Sequence, residues 1–544
     1  MSVSDTSTTA NLAPEDSEPP GPRPDALTGT PWTGADVLTA VVVGALTAVV
    51  TLVWRTEIVS TDPWHYVQAA LHFPTTAWVP LGYTRYGMIL PVVPVAHLLG
   101  NAQVTYYVWA VLASATLTGS LYLVARRWWG PIAGIVAVLL TVTNWVVFLN
   151  MSRYYPDVMS MALIMAALVV AIIVRGRFVG GLERSSAGTN ALLVVVGFLL
   201  GWSFEARETA LLCWPIVLVV LWVRGSIRRT VVLCGLGVLV WASLDVGISA
   251  LAYGNPLLKP KTLLGQNLAG TTNPSDIAMA KKLVGKDRLF YLGYVARALG
   301  GPGAPPGGFW MLVVGALATV SVVLRDRAAR LSGFAFLFAY VTFAGVGGMF
   351  LPDHPFGRLD VQRYWIAFIP FASLAAAGLL HVVARFVARR VRRPHWTPAL
   401  GAALAVAVLL GPAATWAEEV AASPSLAPNG GAPLGEVRAY LAAHRVDVGT
   451  VWSDRHTLRL LPAYRKGPLG GRKLWTAGVR SLTGVDPNPV KGDYVLLVRT
   501  GPQTPCGFCA RALEPWLKRH HSLPSNWAPV MATRNDGMVL YRVH

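Results

Sequence analysis

Charged residues make up only 13% of this 544-residue chain, whereas an ordinary soluble domain carries roughly 25%. A deficit this deep, joined to 54% hydrophobic content and a mean hydropathy of +0.49, excludes a soluble globular enzyme and a disordered chain alike. Cysteine is scarce. Cys213 and Cys234 lie in apolar stretches, and Cys506 and Cys509 in the C-terminal tail; four cysteines are too few for a disulfide framework but leave room for one bridge. Acid is short too, with 27 Asp and Glu against 46 Lys and Arg, a net charge of +19. In a soluble protein such an excess would point to nucleic acid. Here the bases sit between apolar runs, where they orient helices, and no nucleic-acid partner is expected. There is no internal repeat and no heptad run, and the N-terminus lacks the basic-then-apolar pattern of a cleaved signal peptide.

What is present is a succession of apolar runs. The first 33 residues, rich in Pro, Ser, Thr, Asp and Glu, cannot bury enough apolar surface to fold and are expected to be a disordered cytoplasmic tail. A transmembrane domain follows over 34–415, with about eleven spans near 35–54, 104–125, 131–149, 158–174, 190–203, 208–223, 230–251, 308–324, 332–351, 364–384 and 397–415, each roughly 17–25 residues. The apolar stretch 87–99 is too short to span and suits an interfacial or re-entrant helix. Residues 416–544 have soluble composition and read as a small α/β domain, with helices at 434–445 and 508–519 and strands at 448–453, 493–500 and 538–543. The fold class is therefore a polytopic α-helical membrane protein with a C-terminal α/β domain.

The alternate loops differ in charge. One set carries sixteen arginines, among them Arg126, Arg127, Arg175, Arg177, Arg389 and Arg390; the short loops of the other set carry only Arg55, Arg85, Arg153, Arg207, Arg358 and Arg363. The positive-inside bias makes the first set cytoplasmic and the N-terminus internal, so the C-terminal domain lies outside the membrane.

The candidate chemistry then gathers on the outer side. In the first outer loop, TDPWHY, Asp62 lies near the membrane, where a carboxylate is costly unless solvated or paired; it also fits as the N-cap of a helix whose first turn holds Pro63. His65 and Tyr66 follow about one turn on. Arg85, later in that loop, suits pairing with Asp62, a lipid phosphate, or snorkelling to headgroups. The second outer loop, NMSRYYPDVMS, carries Arg153 and Asp157, the latter again a candidate cap or a second acid converging on the same cavity. Glu205, Arg207 and Glu208 in FEARETALL must pair internally or face water. The long loop 252–307 holds Lys259 and Lys261 with other lysines, its basic charge suiting a phosphate or anionic headgroups. His354, Arg358, Arg363 and Tyr364 crowd the segment before the tenth span, as caps, headgroup contacts or ligand-binding groups. The pair Cys506 and Cys509 in CGFC resembles a redox motif, but too few residues follow for the rest of a thioredoxin fold, and a structural disulfide is the better reading outside the membrane. One His and one Asp at helical spacing, His65 and Asp62, make no convincing metal site.

With these clusters placed, the chain resembles the polytopic glycosyltransferases of the C superfamily (GT-C). It is most similar in style to the bacterial polyprenyl-phosphate-sugar-dependent transferases related to protein mannosyltransferases and aminoarabinose transferases. The resemblance rests on TDPWHY, on TRYGMILP closing the first outer loop, on YYPD, EARETALL and QRYWIAFIP, and on the α/β tail; it covers roughly 35–544. It implies transfer of a sugar from a polyprenyl-phosphate donor to an acceptor hydroxyl of a glycan, lipid or protein on the outer face of the cytoplasmic membrane, with inversion. It implies that Asp62 is the general base, that Asp157 is a second acidic position, and that Arg85, Arg207 and Arg363 hold phosphate or sugar. No cofactor is certain; many members carry two adjacent acids in the first loop, but Pro63 follows Asp62 here, so a divalent metal is not supported. A transporter or lipid flippase is the main rival, and it would carry ionisable groups near the bilayer midplane in repeated halves. A polysaccharide polymerase or ligase, or a membrane scaffold presenting the tail, are lesser ones.

Overall fold

The computed structural model describes residues 27–74, 85–179, 186–223, 226–264, 283–353, 355, 359–422, 433–444, 449–483, 487–499, 507–520, 522–533 and 537–544. The expectation of a disordered tail falls almost wholly outside them. Eight helices among the described residues are long and apolar enough to cross a membrane. We label those used below α1 (Gly34–Val53), α2 (Asp62–His72), α3 (Tyr86–Leu99), α4 (Gln103–Trp129), α5 (Pro131–Val142), α6 (Trp145–Met151), α7 (Pro156–Val179), α8 (Ala187–Ala206), α9 (Trp214–Leu221) and α10 (Ile227–Tyr253). Beyond these lie α11 (Leu258–Leu264), α12 (Arg288–Gly300), α13 (Gly308–Val320), α14 (Arg327–Ala344), α15 (Ile369–Arg390) and α16 (Thr397–Ala422).

The pair α5 and α6 is a ninth apolar stretch, bent by 80° at the break between them. Its hinge is chemical: the Asn144 side chain accepts hydrogen bonds from the Val146 and Val147 amides at 3.1 and 3.3 Å, capping a new helix instead of continuing the old one. The spans expected at 208–223 and 308–324 are shorter apolar helices, Glu208–Leu221 and Gly308–Val323, and the stretch 87–99 is a third, Tyr86–Leu99. The span expected at 190–203 is a full 20 residues, Ala187–Ala206.

Side-chain chemistry fixes how the spans begin and cross. Thr33 and Asp36 form a reciprocal capping box at the start of α1, and Asp36 is bound by Arg126 of α4 at 2.6 Å. Helices α8 and α10 touch backbone to backbone at Gly197 and Gly237, where an added methyl would overlap the opposing main chain. Such small-residue seams serve membrane helices because van der Waals contact, not hydrophobicity, draws them together in lipid.

The C-terminal domain is a five-stranded sheet of β1 (Val451–Ser453), β4 (Val479–Ser481), β5 (Tyr494–Val498), β6 (Trp527–Ala532) and β7 (Met538–Val543), in the order β4-β1-β5-β7-β6. A separate hairpin pairs β2 (Lys466–Gly467) with β3 (Gly470–Lys473). The strands β4, β1 and β5 are parallel and the others antiparallel. Its helices are α17 (Pro433–Ala443), α18 (Arg455–Tyr464) and α19 (Gly507–His520). One face buries Trp452, Val495, Leu497, Leu513, Trp516 and Trp527, with the last two indoles stacked at 5.4 Å. The domain is seated on the bundle: Glu57 accepts from the Leu434 amide at 2.8 Å, Arg438 donates to Gln103, and the Val104 amide donates to the Pro468 carbonyl at 3.0 Å.

Candidate functional site

At the end of the bundle that carries this domain, five segments bring charge together with the arginine of a short 3-10 helix. The first is α2. Asp62 opens it, but the N-cap is Thr61, and no side chain caps the helix. Asp62 is therefore not the capping residue that its place before Pro63 implied. Its Oδ2 instead accepts from Arg363 Nη2 at 2.8 Å. The second segment is the start of α7, where Asp157 is 4% exposed; its two oxygens face Arg207 Nε at 3.3 Å and Arg363 Nε at 3.6 Å. The acids of two loops 95 residues apart thus meet on one guanidinium. Arg363 stands in a short 3-10 helix, Gln362–Ala367, pinned by the indole of the buried Trp365, which donates to the Leu359 carbonyl at 2.9 Å.

The third and fourth segments are the start of α3 and the end of α8. Arg85 grips Glu208 through Nε and Nη2 at 3.3 and 3.2 Å, and gives Nη1 to the Tyr66 hydroxyl at 2.8 Å. Its partner is thus Glu208, not Asp62. This fork-to-fork geometry aligns a planar donor pair with a planar acceptor pair. The trio Glu205, Arg207 and Glu208 does not pair within itself. A turn from α8 into the 3-10 helix Glu208–Cys213 sends the three side chains to separate partners: Glu205 to Lys259, Arg207 to Asp157 and Glu208 to Arg85. Lys259 belongs to the fifth segment, α11, and is buried against the Phe204 ring at 4.8 Å.

Aromatic faces line the guanidiniums. Arg207 lies 4.0 Å from the centre of the Tyr364 ring and Arg363 4.1 Å from that of Tyr155, geometry in which a partly desolvated cation is attracted to the ring. Burial alone would raise the Asp62 carboxyl, but Arg363, Arg85 and Arg207 together hold it below the usual carboxylate range. Burial disfavours the Arg363 charge as well, yet Asp62 and Asp157 keep that guanidinium firmly protonated. Three buried atoms of the cluster, Asp157 Oδ2, Arg207 Nε and Arg363 Nε, make no well-directed hydrogen bond among the described residues and are held only by the ion pairs of Asp157 with Arg207 and Arg363.

The remaining expected residues fall as follows. Tyr66 is buried and His65 half-buried, its ring edge-on to Trp64. Burial, with Arg459, lowers the His65 imidazole, so it is neutral at pH 7. Arg153 donates to Thr56 at 3.1 Å, and Lys261 is exposed. His354 and Arg358 lie outside the described residues. Cys509 is disulfide-bonded and Cys213 and Cys234 are free, while Cys506 lies outside the described residues. Among the described residues no group of three His, Cys, Asp or Glu side chains is placed to hold a metal ion.

Two features were not anticipated from the sequence. An apolar cavity of about 230 Å³ is lined by Asn144, Trp145, Trp310, Tyr340, Phe368 and Trp416 among others; none of the charged residues lines it, but Phe368 directly follows the 3-10 helix that holds Arg363. And α18 of the C-terminal domain reaches α2. His456 shares a hydrogen bond with Ser60 at 3.2 Å, while Arg459 donates to the Ser60 carbonyl at 3.3 Å and covers the Trp64 ring at 4.8 Å. The helix α18 leaves the C-terminal end of β1, the edge from which parallel sheets usually present ligand-binding loops.

Comparison with solved structures gives the fold independent support. The crystal structure of ArnT from Cupriavidus metallidurans bound to undecaprenyl phosphate superposes with a TM-score of 0.52 at 14% identity, covering 93% of this chain and 97% of that one. Its apo state gives the same TM-score and coverage at 13% identity. The archaeal oligosaccharyltransferase AglB from Archaeoglobus fulgidus, in complex with an inhibitory peptide and a dolichol-phosphate, overlaps at a TM-score of 0.43 and 12% identity, over 81% of this chain and 64% of that one. No protein-family model matches the chain, and no curated protein sequence does. The fold is that of ArnT, a polytopic helical bundle with a C-terminal sheet domain, in agreement with the architecture the sequence resembles.

Proposed function

We propose that this protein is an integral membrane glycosyltransferase that moves a sugar from a polyprenyl-phosphate donor to an acceptor hydroxyl. The observation that carries the proposal is the meeting of Asp62 and Asp157 on Arg363, with an apolar cavity lined by Phe368, five residues along the chain from Arg363. A ligand suited to that place has an anionic head and a long apolar tail. A polyprenyl phosphate meets both demands, and ArnT, which shares the fold, is described with undecaprenyl phosphate bound. The charge bias of the loops supports placing the site on the outer face of the cytoplasmic membrane.

The chemistry asks little of the protein. A polyprenyl phosphate is a good leaving group, so the site must align an acceptor hydroxyl, take its proton and stabilise the departing phosphate. Asp62 is our candidate base, and Arg85, Arg207 and Arg363 are candidates for the phosphate. In the structure, four carboxylates (Asp62, Asp157, Glu205, Glu208) face four cations (Arg85, Arg207, Lys259, Arg363). A phosphate entering this paired set competes with a carboxylate for an arginine. If it takes Arg363, Asp62 loses the contact that depresses its basicity and becomes a better base only when the donor is in place. In-line displacement of the phosphate at the anomeric carbon would then invert its configuration.

The test is transfer of label from radiolabelled polyprenyl-phosphate sugars to cell-envelope fractions by the reconstituted protein. Label should move with the wild type and stay on the donor with Asp62→Asn, which should fold normally. Wild-type rates in Asp62→Asn would remove the base; failure with every donor would remove the function.

A further inference from the structure

The β2–β3 hairpin carries the sequence KGPLGGRK over 466–473, and nothing in the proposed reaction uses it. Its register places Lys466 opposite Lys473 and Gly467 opposite Gly470, leaving Pro468 and Leu469 as the tip. The tip rests on the turn between α3 and α4: the Val104 amide donates to the Pro468 carbonyl at 3.0 Å, and Lys466 Nζ lies close beside Gly100. That turn is where α4, a 27-residue membrane-spanning helix, begins, so the hairpin stands at the level of the bilayer surface.

Two features of the hairpin disagree with an aqueous setting. Leu469 is 77% exposed, and Leu98, in the last turn of α3, is 83% exposed. A single bare leucine is normal on a soluble surface, but two on adjoining elements at the start of a span extend the apolar face that the spans turn to lipid. Lys466 and Lys473 are also a like-charge cross-strand pair, which destabilises a hairpin in water, and Arg472 adds a third positive charge. Among the described residues none of the three is ion-paired, whereas Leu469, Arg472 and Lys473 all stand exposed. An apolar tip with a basic collar at a membrane boundary is the composition of an interfacial anchor, and anionic headgroups supply the counter-charge that the hairpin lacks.

We infer that the β2–β3 hairpin is a membrane-surface anchor. Leu469 dips into the leaflet next to the C-terminal domain, and Lys466, Arg472 and Lys473 bind the phosphates of anionic phospholipids. The anchor holds the soluble domain to the membrane at the α3–α4 turn, and it requires only that the chain be embedded, whatever reaction it catalyses.

The experiment uses the full-length protein in lipid nanodiscs with Leu469→Cys carrying an environment-sensitive fluorophore; Cys213 and Cys234 are buried and should not label. In discs containing phosphatidylglycerol, spin-labelled lipid with its nitroxide near the acyl carbonyls should quench the probe at least several-fold more than a water-soluble quencher does. Adding Arg472→Glu and Lys473→Glu, both at exposed positions, should abolish that preference while the protein elutes as before. Preferential quenching from water overturns the anchor. Lipid quenching that is equal in phosphatidylcholine discs and survives the double charge reversal overturns the anionic-lipid assignment.

Discussion

At the scale of single residues, the defining event is the sharing of Arg363 between two acids. Replacing it should act through Asp62. The folded-state carboxyl is held low by Arg363, Arg85 and Arg207 against the raising effect of burial, so Asp62 is ionised at neutral pH and is lost as a base only when pH falls through its depressed value. Arg363→Gln should therefore move the acid limb of the kcat/KM profile to higher pH, and lower the plateau by about 10²–10³, as loss of a charge-stabilising donor commonly does. An acid limb that stays in place would show that Asp62 does not carry it. Arg363→Lys keeps the charge but cannot span both acids, and should recover the pH profile better than the rate. The sequence made the residue types of this cluster legible, because charge in an apolar chain stands out. It did not make the pairing legible. The partners of Arg85 and Glu208 lie 123 residues apart, and nothing local indicates which acid a guanidinium will meet. Nor did it separate Asp62 from a helix cap, since Thr61 and Asp62 are both competent by type.

At the scale of elements, close backbone approaches hold the charges in register. A methyl group on Gly87 would stand 2.5 Å from the Ala206 amide nitrogen and 2.6 Å from the Glu205 carbonyl carbon. Gly87→Ala should push α3 from the end of α8 and spoil the Arg85–Glu208 fork, lowering activity tenfold or more by assay while costing about 1–3 kcal/mol in thermal stability. Arg459 tests whether α18 has a part in the site. It is bonded to Ser60 and stacked on Trp64, one residue pair on either side of the Asp62–Pro63 start of α2. Arg459→Ala should lower kcat with little change in donor KM, because it loosens the helix that carries the candidate base; an unchanged kcat would leave the contact a matter of docking alone. Most spans and the last strand were readable from hydropathy and alternation. The helix α18 was not, although Asp454 caps it through the His456 and Thr457 amides, because its charged residues and Pro462 resemble a loop. The bend between α5 and α6 depends on one capping asparagine inside an apolar run, a signal that hydropathy averages away.

At the scale of the whole molecule, the seating of the domain on the bundle should depend on pH. Glu57 is buried beneath α17, where burial pushes its carboxyl up to about 7 against the lowering effect of the Leu434 amide, with Glu436 adding a further rise. Arg438, Gln103 and Tyr107 lie around the same contact. For an acid raised in the folded state, the contribution is fully present below the unfolded value and is lost as pH rises through the folded one. The docked state should therefore weaken between roughly pH 4.5 and 7, by at most about 3 kcal/mol. Glu57→Gln should flatten that dependence in limited proteolysis of the C-terminal domain across the same range, whereas an unaltered dependence would assign it to other groups. The domain's existence was legible from its composition, but its docking was not, because Glu57, Gln103 and Ser60 read as ordinary loop polar residues until the fold sets them against α17 and α18.

The modest size of the apolar cavity lined by Phe368 has a bearing on donor choice. If the proposed donor's tail enters it, a hollow of about 230 Å³ would house only the isoprene units nearest the phosphate and leave the rest of a long polyprenol among the lipids. Such an enzyme would read the head of its donor and be indifferent to chain length. Short and long prenyl donors bearing one sugar should then compete on nearly equal terms once each fills the hollow, and selectivity among them would fall to the sugar.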